Sequence, residues 1–274
     1  MRSLFFLAAA AAGFAAPSGA FDWMTLRRDM EISAPRIALA DLDGDGDAEL
    51  AVGGRTGGFS SRERQRSARL EVLAGASPAP VAASTFDAVW DMAAADFDGD
   101  GREELVVAGG RGLAVLALRD GSLFRVPQTG LPAVAGAAGE RVNRVDCMDV
   151  DGDGEVEVAW AGNRREPSWE GGASTVLRVA SVSADGFWQL LSETRFSAHV
   201  GDLCFADLDG DGQGELVVET GVEEIGGRLD LFAVAGGGPE LFFSRPADAD
   251  ARRLLRLSPA REGSRDLVVA AAVD

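Results

Sequence analysis

Asp41-Leu42-Asp43-Gly44-Asp45-Gly46-Asp47-Ala48-Glu49 runs without a break into Leu50-Ala51-Val52-Gly53-Gly54. The nonapeptide returns three times, as Asp96-Phe97-Asp98-Gly99-Asp100-Gly101-Arg102-Glu103-Glu104, Asp149-Val150-Asp151-Gly152-Asp153-Gly154-Glu155-Val156-Glu157 and Asp207-Leu208-Asp209-Gly210-Asp211-Gly212-Gln213-Gly214-Glu215. Each copy carries carboxylates at positions 1, 3, 5 and 9 and glycine at 4 and 6. A hard cation such as calcium takes six to eight oxygens at about 2.3–2.6 Å, on a backbone able to wrap around it. Alternate acidic residues supply the oxygens, and the glycine at position 6 permits the sharp turn. Four copies in phase set this apart from a solvated acidic loop.

The residues after each loop decide the fold. A helix–loop–helix calcium site has its last acidic ligand at position 12, between helices. Here the last carboxylate is at position 9, and an apolar, branched run follows at once: Leu50-Ala51-Val52, Leu105-Val106-Val107, Val156 to Trp160, and Leu216-Val217-Val218. Glycine ends most of these runs, at Gly53, Gly109, Gly162 and Gly221. Such runs are strands, so each loop joins two strands.

The loops start at intervals of 55, 53 and 58 residues, a period that signals a solenoid, propeller or array. Aligning Asp266 with Glu49 gives a fifth, degenerate copy with Ser258 at loop position 1, Ala260 and Glu262 where aspartates stand elsewhere, and no expected metal. Within a period four strands are read, for example 175–180, 187–192 with its extension, 201–206 and 215–218, with Asp185-Gly186 and Asp120-Gly121 as hairpin turns. Four-stranded antiparallel units repeated radially make an all-β β-propeller, here of about five blades. Residues 23–33 are expected to complete the last blade; the alternative is an open ring, or one closed by another chain. Four residues before each loop stand Ile37, Met92, Val145, Leu203 and Leu254, which should face the core. One residue earlier stand Arg36, Asp91, Arg144, Asp202 and Arg253, whose signs alternate. Strands lining a central axis would pair Arg36 with Asp91 and Arg144 with Asp202, as an inter-blade ion-pair ring or a ligand site at the channel mouth.

The stretches 40–54 and 206–218 resemble FG-GAP/VCBS repeats, the calcium-bearing blades of integrin α-subunit propellers and of many secreted bacterial proteins. The likeness spans residues 21–274. It implies one Ca2+ in the inter-strand loop of each intact blade, four independent sites in all. The side-chain ligands implied are Asp41, Asp43, Asp45 and Glu49; Asp96, Asp98, Asp100 and Glu104; Asp149, Asp151, Asp153 and Glu157; and Asp207, Asp209, Asp211 and Glu215. Asp47, Arg102, Glu155 and Gln213 would each add a backbone carbonyl. Two departures stand out: no clear Phe-Gly precedes the loops, and integrin propellers have seven blades where about five are countable here.

Residues 1–20 read as a secretory signal peptide: a basic start at Arg2, an apolar run over residues 4–16, and small residues before a cut after Ala20. A buried N-terminal helix is the alternative. The mature chain, 21–274, is then secreted, periplasmic or at the cell surface. No internal run reaches the roughly 20 apolar residues of a membrane span. The net charge of −18 argues against nucleic acid as a partner. Cys147 and Cys204 fall on opposite faces of equivalent strands and are expected as buried free thiols.

With no tyrosine, His199 as the single histidine, and most paired carboxylates committed to metal, the chain reads as a binding or scaffold module without catalysis. The alternative is a carbohydrate-binding or carbohydrate-active propeller, lyase or hydrolase. The irregular segments 55–69 and 163–174, the second with Arg164, Arg165 and Trp169, read equally as surfaces for a protein or glycan partner and as mobile solvated loops. A sugar binder would stack on Trp90, Trp169 or Trp188, although Trp90 and Trp188 fall in strand patterns that favour core packing.

Overall fold

The computed structural model describes residues 32–56, 68–74, 79–110, 112–131, 140–164, 174–196, 198–221, 228–235, 238–246, 254–262 and 265–272. The leader at 1–20 and residues 23–31 of the expected closing strand lie outside these. Among the described residues all the regular elements are strands. The first sheet is β1 (Ile32–Ala40), β2 (Glu49–Thr56), β3 (Ala68–Leu73) and β4 (Ala82–Phe86). The second is β5 (Asp91–Ala95), β6 (Glu104–Gly109), β7 (Gly112–Arg119) and β8 (Ser122–Arg125). The third is β9 (Glu140–Met148), β10 (Val156–Arg164), β11 (Ser174–Val182) and β12 (Trp188–Phe196). The fourth is β13 (His199–Ala206), β14 (Glu215–Gly221), β15 (Arg228–Ala235) and β16 (Gly238–Pro246), and β17 (Leu254–Glu262) pairs with β18 (Arg265–Ala272). Each sheet is an antiparallel meander in chain order, so the four strands expected per repeat are present in four repeats.

The first strands of successive sheets touch in the order β1, β5, β9, β13, β17. The sheets therefore fan out from a shared inner edge in a propeller-like arrangement. This explains why the middle strands are apolar without alternation: both faces of each middle sheet are covered. Leu105 and Val107 of β6 pack with Leu70 and Val72 of the first sheet. Val106 and Ala108, pointing the other way, pack with Val158 and Trp160 of the third. A third cluster joins Leu177 and Val179 to Leu216 and Phe232. The outer strand β12 has one buried residue, Trp188, at its start and is otherwise partly or fully exposed. Its ring meets Trp160 edge to face, with centroids 6.0 Å apart. Trp188 thus serves the core rather than stacking on a sugar.

Inner-strand register follows the charge pattern. Met92, Val145 and Leu203 are buried, and Ile37 is partly so. Pairing slips between Ser33 and Arg36 in β1, opposite Arg144 in β9, and between Val200 and Asp202 in β13. A bulge lets one strand re-aim a side chain. Here the slips sit beside Arg36, Arg144 and Asp202, while β5 pairs through Asp91 without one.

Three expectations are corrected. Ile32 and Ser33 belong to β1, paired with Thr56 and Arg55, and not to a separate closing strand. In the degenerate copy β17 continues through Glu262, which pairs with Arg265, so Ser258 lies in mid-strand opposite Val269 and does not open a nine-residue loop. His199 starts β13, two residues before the strand expected over 201–206.

Candidate metal centres

Each acidic loop connects the first strand of a sheet to the second. The last strand pairs before it are Ala40 with Glu49, Ala95 with Glu104, Met148 with Glu157 and Ala206 with Glu215. Position 1 organises the turn. Asp41 accepts the amides of Gly44 (2.8 Å), Asp45 (3.1 Å) and Gly46 (2.9 Å). Asp96 does the same for Gly99, Asp100 and Gly101, and Asp149 and Asp207 bind the amides of both loop glycines. That wrap needs left-handed backbone at positions 4 and 6: φ is 78° and 89° at Gly44 and Gly46, and 72° and 85° at Gly99 and Gly101. L side chains are strained there.

Position 5 holds the next link. Asp45, Asp100, Asp153 and Asp211 accept the amides of Asp47, Arg102, Glu155 and Gln213 at 2.8–2.9 Å. Position 9 is anchored from within. Glu49, Glu104, Glu157 and Glu215 accept the amides of Leu42, Phe97, Val150 and Leu208 at 2.8–3.1 Å. Leu42, Phe97 and Val150 are buried and plug the base of their loops.

The carboxylates converge. One oxygen from each of Asp96, Asp98 and Glu104, of Asp149, Asp151 and Glu157, and of Asp207, Asp209 and Glu215 lies within 4.8 Å of the others. In the first loop the converging set is Asp41, Asp43 and Asp45. Two oxygens bound to one calcium are at most about 5 Å apart, twice the bond length, so the spacing and the all-oxygen donor set fit a hard cation. Burial, opposed by the backbone hydrogen bond and reinforced by the neighbouring aspartates, raises the carboxyls of Glu104 and Glu157 to about 7. The same causes raise Glu49 and Glu215. Burial of the carboxylate is the larger penalty and the clustered negative charge the smaller, and a bound divalent ion would offset both.

A second charged cluster lies along the inner strands. Arg36 Nε stands 3.9 Å from Asp91 Oδ1 and donates to the Trp90 carbonyl at 2.7 Å. Arg144 Nε lies 3.2 Å from Asp202 Oδ1 and also donates to the Gly201 carbonyl. Both pairs join neighbouring sheets, as the alternating signs predict. Sequence reasoning missed Asp146, which accepts the Phe205 amide of the next inner strand at 2.8 Å. Burial, with Asp91 and Asp202 nearby, raises its carboxyl to about 7.

The other candidates contribute less. Cys147 and Cys204 are buried in different apolar clusters with no disulfide between them, and burial pushes the Cys147 thiol up, away from nucleophilic use. Of segment 55–69, Arg55 and Thr56 lie in β2 and Ala68 and Arg69 in β3; of 163–174, Asn163 and Arg164 lie in β10 and Ser174 in β11. The rest, Trp169 included, is outside the described residues.

This is an all-β protein built of repeated four-stranded units with acidic hairpin loops. Residues 96–160 match the FG-GAP-like repeat family, so the chain carries an FG-GAP-like repeat. No curated protein sequence matches the chain. Among solved structures, an α-L-arabinofuranosidase from Clostridium thermocellum is similar at 10% identity and a TM-score of 0.44, over 82% of this chain and 78% of that one. That neighbour is an enzyme, and with this finding the expectation of a chain without catalysis is withdrawn. A likeness at this level assigns neither reaction, substrate nor residue here.

Proposed function

We propose that this is an exported, calcium-binding propeller of about five blades, with one ion in each of the four acidic loops. The observation that carries the reading is the fourfold repetition of one preorganised carboxylate cage. Asp41, Asp96, Asp149 and Asp207 cap the same loop amides, and Glu49, Glu104, Glu157 and Glu215 take the same anchoring bond. In each bound loop, carboxylates at positions 1, 3, 5 and 9 and the carbonyl at position 7 hold the ion. The ion cancels the local repulsion and fixes the hairpin that starts each blade. Sheet β17–β18 is the fifth blade. Melting in calcium against melting in excess chelator tests this: saturating calcium at about 100 times Kd adds about 2.7 kcal/mol per site, and an unchanged Tm contradicts it.

A second reading is favoured by the inner-strand cluster. Asp91, Asp146 and Asp202, set among Arg36 and Arg144, put carboxylates at the shared axis, and burial raises that of Asp146 to about 7. A carboxyl with a raised pKa among other carboxylates is what acid–base work on a glycosidic bond requires. In this reading the calcium-stabilised propeller binds or cleaves carbohydrate at its centre. Screening calcium-loaded protein against polysaccharides, wild type beside Asp146→Asn, tests it. Cleavage that survives the substitution removes Asp146 from the chemistry, and no binding or cleavage of any glycan removes the reading.

A further inference from the structure

The loops are joined across sheet boundaries, and the joints fall between residues that belong to two different metal cages. Glu103, at position 8 of the second loop, grips Asp41 of the first at both ends of its backbone. The Glu103 amide donates to the Asp41 carbonyl at 2.8 Å, and the Asp41 amide donates to Glu103 Oε2 at 2.7 Å. Next to this clamp, Arg102 packs on Gly44: a methyl group on Gly44 would fall 2.8 Å from Arg102 Cγ. Position 8 of the fourth loop repeats the contact in simpler form. The Gly214 amide donates to the carbonyl of Val150 in the third loop at 2.7 Å. Among the described residues no backbone bond of this kind joins residues 155–157 of the third loop to residues 96–98 of the second.

We propose that the four sites load as two coupled pairs, first with second and third with fourth, and that Glu103 is the coupling residue of the first pair. This rests on the calcium reading above and replaces four independent sites. Glu103 stands between Arg102 and Glu104, the carbonyl and carboxylate donors of the second cage. An ion there fixes residues 102–104 and holds the clamp in the position that sets Asp41, position 1 of the first cage. An ion in the first cage fixes Asp41 and returns the same constraint to Glu103, since coupling between two binding sites is reciprocal. In the second pair Gly214, between Gln213 and Glu215, acts on Val150, between Asp149 and Asp151. The first pair has the tighter joint, two hydrogen bonds against one.

Calorimetric titration of the full chain with Ca2+ tests this in three variants. Asp98→Ala removes the second site and should weaken one of the remaining three by about fivefold or more, the lower end of typical coupling. Asp43→Ala removes the first site and should do the same to the second. In a Glu103→Ala background Asp98→Ala should remove one ion and leave the other three at the affinities of the Glu103→Ala parent. Glu103→Gln keeps an acceptor for the Asp41 amide and should keep the coupling. Three sites of unchanged affinity in both Asp98→Ala and Asp43→Ala overturn the pairing and leave the calcium reading standing, whether or not Glu103→Ala folds. Coupling that persists undiminished in folded Glu103→Ala overturns the role of Glu103. No ion bound by the wild type overturns the calcium reading and the pairing with it.

Discussion

Arg144 of β9 and Asp202 of β13 form an ion pair of 3.2 Å across the boundary between the third and fourth sheets, with both side chains largely buried. The same guanidinium donates to the Gly201 and Asn143 carbonyls, so one side chain makes two hydrogen bonds and an ion pair where two sheets meet. Removing one partner of such a pair leaves the other buried and uncompensated. Arg144→Ala should destabilise the protein by about 3 kcal/mol. Arg195→Ala, at an exposed pair with Glu193, should cost under about 1 kcal/mol. Urea unfolding of the two variants in calcium checks the contrast.

Asp146 predicts a pH dependence. Its folded value, about 7, stands above the ordinary 3.8, so folding favours the protonated form. The stability it contributes is full below about pH 4 and is lost as pH rises through about 7. Asp146→Asn removes that loss and keeps an acceptor for the Phe205 amide. The variant should match the wild type near pH 4 and exceed it at pH 8 by up to about 4 kcal/mol. A constant difference in Tm between the two proteins from pH 4 to 8 contradicts this.

Gly212 has φ near 90° and open space where a side chain would go, so substitution there meets backbone strain alone. Gly212→Ala should cost about 1–2 kcal/mol, and Gly212→Asn less, because asparagine enters left-handed backbone more readily. Calcium affinity should fall in the same order. Equal melting curves for the two variants contradict the assignment.

Trp188 anchors the outer strand of the third sheet against Trp160, and its indole donates to the Gln128 side chain. Trp188→Ala should destabilise by about 3–5 kcal/mol and remove much of the near-ultraviolet dichroism. Gln128→Ala removes only the hydrogen bond and should cost about 1 kcal/mol. Denaturant titration of both variants checks the ranking.

The acidic loops and the strands after them were legible because their pattern is local: residue type at fixed spacing sets both the turn and the strand. The Arg144–Asp202 pair was legible from phase, since equivalent positions in successive repeats carried opposite charge. Asp146 was not, because it sits outside the charged position and its environment comes from two other strands. The Glu103–Asp41 clamp was not, because it is built largely from backbone groups that every residue carries. The degenerate copy misled because aligning Asp266 with Glu49 assumed a constant loop length, whereas Asp266 pairs with Arg261 and Arg265 with Glu262.

The most direct test of the central claim is the number of calcium ions bound by chelator-stripped protein, measured by calorimetric titration. One ion per acidic loop, four per chain, is the predicted result, with three ions in Asp151→Ala. Wild type that takes up no calcium at millimolar concentration, or an Asp151→Ala variant that still binds four ions, contradicts it.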